Sequence, residues 1–282
     1  PSSAASDVYK RQVLTLWYIT AADPAEVLRS EPKADRGFGR KFLAQLNPTL
    51  PVTPIGQFPL NRSAEPGTSE FYIGGYPGVT VVQTIISDDQ LILSQLSRTL
   101  REAVPAHEIY AFTSNPETGY AGFAHWTGPR LRRSLCGTRF NLYEDHGLPE
   151  TFEAPYWAGE KDEPVGGISL PFEPQSITEA AQSYWLGIDV GADGPDVDVV
   201  GYATDGRPEP KVDTPPPRRS VAEVASTSVA KLGLHDYDDY EEHDLDPDST
   251  GEEIVRTAKH LGGLVRRYAV STSRNLWDRW RS

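Results

Sequence analysis

After Thr204 the chain stops supplying material for a hydrophobic core. DGRPEPKVDTPPPRRS is rich in proline and charge, and residues 235–253 hold ten Asp or Glu without one Lys or Arg. Such a run buries too little apolar surface to offset the entropy of ordering it, and the prolines make its first part an extended tether. A cooperative fold must therefore lie upstream, in one large or two small domains. The sequence divides into a leader at 1–12, a globular domain at 13–204, a disordered Pro-rich and acidic linker at 205–250, and a basic amphipathic helix at 251–282.

The leader is set apart because SSAASDVYKRQ (2–12) has no apolar periodicity and no helix cap. It also lacks the apolar stretch of roughly 7–15 residues that a secretory signal requires. One legal codon choice for these residues resembles a transposase sequencing adapter, whose mosaic end encodes DVYKRQ. Residues 1–12 are expected to be a non-native leader on a fragment assembled from environmental DNA, adding nothing to the fold.

A net charge of -13 argues against general nucleic-acid binding. No apolar run approaches the roughly 20 residues that span a bilayer, so a soluble protein is expected. A single cysteine, Cys136, excludes an internal disulfide framework and suits a reducing cytoplasm.

Within 13–204, VLTLWYIT (13–20) is a β-rich apolar run without alternation, as in a central strand covered on both faces. Asp23-Pro24 with Glu26 caps a helix through about Arg29. A second helix covers 38–46. PVTPIGQFPL, with its prolines, suits only an edge strand or an extended loop. EFYIGG and GVTVVQTII form strands at 70–75 and 78–86. SDDQLILSQLSRTLREAV follows as a helix with Ile92, Leu96, Leu100 and Ala103 on one face, and EIYAFTS (108–114) as a strand. That order predicts a right-handed parallel crossover. GYAGFAHW and LRRSLCGT form an antiparallel hairpin around TGPR. A loop-rich stretch, a helix at about 177–187 and a last strand, DVDVVGYAT, complete the domain. The expected class is α/β or α+β: one mixed β-sheet packed by helices.

RGFGRK (36–41) offers an anion cradle, with glycines at a helix start beside Arg36, Arg40 and Lys41. It matches neither the dinucleotide fingerprint nor the P-loop, so no cofactor is expected; the plain alternative is a glycine turn into a surface helix. Cys136, His125 and Asp145 invite a nucleophilic triad. With a turn at Thr127–Arg130, however, Trp126 pairs with Leu131 and His125 opposes Arg132. Cys136 then lies about 13 Å further on, at about 3.3 Å per residue, which favours a buried structural cysteine. DLDPDS places Asp244, Asp246 and Asp248 in alternation near His235 and His243. Ser249 stands where a calcium loop needs glycine and Val255 where it needs glutamate, so no metal site is expected. In the tail, 252–282, seven basic residues stand against three acids, a net +4. Arg266, Arg267, Trp277, Arg279 and Trp280 suit an anionic membrane surface or a partner protein's groove.

FEAPYWAGE (152–160), SLPFEP (169–174), YWLGID (184–189) and VVGYATDGRPEP (199–210) together resemble a family of uncharacterised actinobacterial proteins, the domain of unknown function numbered 6928. LNPTLPVTPIG and the HW–LRRS hairpin match in order, so the resemblance spans about 13–210. It implies a soluble bacterial protein with no established activity, and it assigns no catalytic residue. Read physically, PYWAGE sets Trp157 beside Glu160 in a loop, where binding groups concentrate. The leading expectation is a non-catalytic binding or scaffold domain. The alternatives are an enzyme with a pocket near Trp157, Glu160 and His125, and peripheral membrane association through the C-terminal helix.

Overall fold

A computed structural model describes residues 11–87, 91–163 and 165–210. The chain divides into two units at Val212, and every described residue belongs to the first. The acidic linker, the C-terminal helix and the calcium-like DLDPDS stretch lie outside the described residues, apart from the linker's first six positions.

The elements follow local chemistry closely. Strand β1 (Arg11–Ile19) is buried from Gln12 onward. Helix α1 (Pro24–Arg29) has Asp23 at its N-cap, with the carboxylate accepting the N–H of Glu26. Helix α2 (Arg36–Leu46) is capped by Asp35. Strands β2 (Thr53–Pro59), β3 (Glu70–Tyr76) and β4 (Val79–Ser87) precede a short helix, α3 (Arg98–Arg101). Strands β5 (Glu108–Asn115), β6 (Tyr120–Thr127), β7 (Arg130–Thr138) and β8 (Asn141–His146) follow as a meander. Helices α4 (Ala154–Trp157) and α5 (Pro174–Leu186) lead to β9 (Asp198–Ala203). Proline opens α5, and Gly187 closes it at φ 69°, the left-handed cap glycine adopts without strain.

The nine strands make one sheet in the order β2-β9-β3-β4-β1-β5-β6-β7-β8. Every neighbouring pair is antiparallel, which corrects the expected mixed sheet. β4 and β5 do run in the same direction, but β1 lies between them and pairs with both. The crossover is real in direction, and the inserted strand removes the parallel pair.

Three further differences have local causes. β1 takes in Arg11 and Gln12, assigned above to the leader; they pair with Ser87 and Ile86, because a ladder is made by backbone groups whatever the side chains. The helix expected over 87–104 is replaced by a 3-10 turn, Leu93–Gln95, and the four residues of α3. Leu91, Leu93 and Leu96 are the buried residues there, a spacing no helix face provides. Sheet hydroxyls serve this segment instead: Tyr18 donates to the Leu100 carbonyl and Tyr120 to that of Leu91. β8 was absent from the sequence reading because its residues are mostly exposed and show no apolar alternation.

Strand alternation divides the core. The face carrying Tyr18 packs under residues 91–101. The face carrying Trp17 and its neighbour Tyr110 packs under α5, where Trp185 stacks on Tyr110 at 5.1 Å. No helix among the described residues is long and apolar enough to cross a membrane.

Candidate functional site

Under the C-terminal end of α5, β5 and β6 present Glu108, Tyr110 and His125 on one face. Tyr110 and His125 are paired neighbours across the two strands. A β-bulge between His125 and Trp126 shifts β7 by one residue, so His125 faces Arg133 and not Arg132. The bulge leaves Arg132 as the extra residue, turned toward solvent, as bulges re-aim side chains. It also brings Arg133 onto the buried face.

His125 is clamped between two carboxylates. Its Nε2 lies 2.6 Å from Glu108 Oε2 and its Nδ1 lies 3.3 Å from Glu150 Oε1. Thr127 donates to the same Glu108 oxygen at 2.9 Å, and the Trp185 indole N–H donates to Glu150 Oε2 at 3.0 Å. Burial alone lowers the imidazole pKa; hydrogen bonds to Glu150 and Glu108 outweigh it and raise the pKa above its ordinary 6.5. The hydrogen bond from His125 is in turn the main reason Glu150 ionises below its ordinary value, against the opposing effect of burial. The imidazole with both N–H groups donating is the cation.

The cluster continues inward. The Glu150 backbone N–H donates to Glu153 Oε1 at 2.9 Å, closing a capping box on the turn Thr151–Glu153. Glu153, fully buried, accepts both Nε and NH2 of Arg133 at 2.8 and 2.7 Å, and the Trp157 indole N–H at 3.2 Å. Asp145 takes the remaining guanidinium nitrogen. Outward, His125 and Glu150 border a half-open cleft of about 610 Å³, completed by Arg130, Leu131, Arg132, His146, Gly147, Leu148 and Pro149.

Of the residues expected from sequence, His125 lines this cleft and Trp157 touches the same network through Glu153. Trp157 itself packs edge-on against Phe172 at 4.9 Å and does not line the cleft. Glu160 is exposed, with its backbone N–H tied to the Pro155 carbonyl. Arg36, Arg40 and Lys41 stand apart on α2. Asp35 already accepts the Gly37 N–H at that helix start, so the protein's own carboxylate occupies the supposed anion cradle. Gly39 serves packing: a Cβ there would lie 2.3 Å from the Tyr202 ring. Cys136, His125 and Asp145 do not converge; Asp145 belongs to Arg133, while burial pushes the Cys136 thiol up to about 12. Arg266, Arg267, Trp277, Arg279 and Trp280 lie outside the described residues.

Sequence reasoning missed Glu108, Arg130, Arg132, Arg133, His146 and Glu150. The three-residue interval from Glu150 to Glu153 carried a signal, since it is capping-box spacing with glutamate in place of Ser or Thr. Arg130, Arg132 and Arg133 cluster on β7, but Glu108 on β5 and His146 on β8 are remote from them in sequence, and no local pattern joins the three segments. Among the described residues, no group of three or more His, Cys, Asp or Glu is placed to hold a metal ion.

A model of a family of unknown function, DUF6928, matches residues 13–202. No curated protein and no solved structure matches the chain.

Proposed function

The chain belongs to this family of unknown function, and we propose that its matched region is a non-catalytic binding domain whose cleft beside His125 takes a small organic anion. The observation that carries the reading is the sign of the cleft. Arg130, Arg132, His146 and the clamped His125 surround it, on a chain whose net charge is -13. Glu150, the one carboxylate present, is already engaged by His125 and Trp185. Arginines suit a carboxylate or phosphate because two N–H groups meet two oxygens. Leu131, Pro149 and Leu148, the last 86% exposed, form an apolar wall for the rest of the ligand.

An enzyme that uses His125 as a general base finds less support. Both ring nitrogens are directed at carboxylates of the protein, leaving neither to take a proton from a substrate. The single thiol is buried and held protonated, so it is no nucleophile.

Trp185 reports on the site, because its indole N–H holds Glu150. Tryptophan emission should change saturably on titration with benzoate or inorganic phosphate. Replacing Arg130 and Arg132 together by alanine should weaken that binding at least about tenfold. No change with either probe, or equal binding by the double variant, overturns the reading.

A further inference from the structure

The sheet ends on two edges of different chemistry. At one, β2 (TPIGQFP) carries Pro54 and Pro59, with a register shift between Pro54 and Gly56. Prolines and bulges are the usual means of keeping an edge from pairing, and most of β2 is also half-buried. At the other, β8 (NLYEDH) has no proline, and every residue except Glu144 is exposed. Among the described residues it pairs with β7 alone, so its outer side offers a row of N–H and C=O groups to another strand. The bulge in β8 does not guard it with a charge. Pairing passes from Cys136–Glu144 to Gly137–Leu142, and the extra residue is the exposed aromatic Tyr143.

Apolar surface collects on the same edge. Phe140 is 60% exposed, Leu142 44% and Tyr143 37%, all at the turn into β8 or its first half. Val165, also exposed, lines one hollow with Phe140 and Tyr143. Single exposed apolar residues need no explanation, but a cluster of them marks a contact surface.

The two ends of β8 differ in sign. Near Asn141, Glu117 and Glu173 line the hollow of Phe140 and Tyr143. Arg139, the one cation among its lining residues, is 6% exposed; it pairs with Glu173 at 3.2 Å and donates to the Glu163 carbonyl at 2.6 Å. Beyond His146, at the other end, stand the exposed Arg130 and Arg132 with Leu148. A second β8 laid antiparallel about a two-fold axis reverses this order. It brings the acidic end of each copy to the basic end of the other, twice over, and sets Phe140 toward Leu148. The strand direction also continues the alternation of a sheet that is antiparallel throughout. We infer that two copies of this chain associate edge to edge through β8, antiparallel, so that the sheet runs on from one copy into the other.

Sedimentation velocity of the full chain over about 1–200 μM tests this. The weight-average mass should rise from 31.1 kDa toward about twice that value, with a micromolar dissociation constant, because one short strand is a small interface. Leu142→Lys puts a charge on the open edge. It should raise the dissociation constant at least about tenfold and leave the melting temperature unchanged, since the residue is exposed. Glu117→Arg and Arg132→Glu should each weaken association, and the two together should restore it, as only the crossed arrangement requires. A mass that stays at 31.1 kDa over the whole range overturns the inference. So does Leu142→Lys associating as tightly as the unaltered chain, or a double reversal that recovers nothing.

Discussion

His125 and Arg133 are direct neighbours across β6 and β7, and the surrounding structure treats the two cations oppositely. The Arg133 side chain is 1% exposed, closed in by a Glu153 of zero exposure. The His125 side chain keeps 16% of its surface open, and its two glutamates keep about 30% of theirs, 32% for Glu108 and 28% for Glu150. The inner pair resembles a staple: both glutamate oxygens are used in a bidentate match, with Trp157 and the Glu150 N–H completing the set. The outer cluster faces the cleft, and hydrogen bonds to Glu150 and Glu108 hold the His125 imidazole above its ordinary value against the opposing effect of burial. A charge deep in the protein must be fully matched or it destabilises the fold; a charge at the rim can exchange partners with a ligand.

The sharpest way to break this contrast is to unmatch the inner pair. Arg133→Met leaves Glu153 buried without its cation and should cost about 3–5 kcal/mol in urea unfolding. Adding Glu153→Leu should recover much of that loss, because two apolar groups replace the whole pair. If Arg133→Met alone is nearly neutral, the inner region is no staple.

His125→Gln should have a smaller effect, about 2 kcal/mol, the usual scale for hydrogen bonds to charged groups, and that effect should depend on pH. The raised pKa of His125 means its contribution is complete below the ordinary value of 6.5 and is lost as pH rises through the folded value. The lowered pKa of Glu150 means its contribution is present above the ordinary value of 4.5 and is lost as pH falls through the folded value. The difference in melting temperature between the unaltered chain and His125→Gln should therefore peak between about 4.5 and 6.5 and shrink as pH rises through the raised folded value of His125. A difference that is flat with pH would remove the imidazolium from the account.

The smallest stability effect belongs to the cleft rim. Replacing Arg130 and Arg132 by alanine should change unfolding free energy by no more than about 0.5 kcal/mol, while weakening the proposed anion binding at least about tenfold. A large loss here would turn the rim into a second staple and erase the distinction.

How much of this was legible depends on the range of the interaction. The two-faced burial of β1, the Asp23-Pro24 start of α1, the prolines of the β2 edge and the β6–β7 hairpin follow from the sequence, because periodicity, capping and turn chemistry act over a few residues. The pairing of Trp126 with Leu131 was likewise readable. The His125–Arg133 pairing was not, since the bulge that creates it responds to burial of the guanidinium against Glu153.

By itself, then, the sequence determined the capped start of α1, most of the strands to within a few residues, and the family to which residues 13–202 belong. Only the tertiary structure decided that β1 enters between β4 and β5 and makes the whole sheet antiparallel. It alone joined Glu108, His125, Glu150 and Trp185, which come from four separate segments, into one cluster. The physical reason is that strand order and buried charge matching are settled by contacts between residues remote along the chain. Local preferences restrict those contacts without selecting among them.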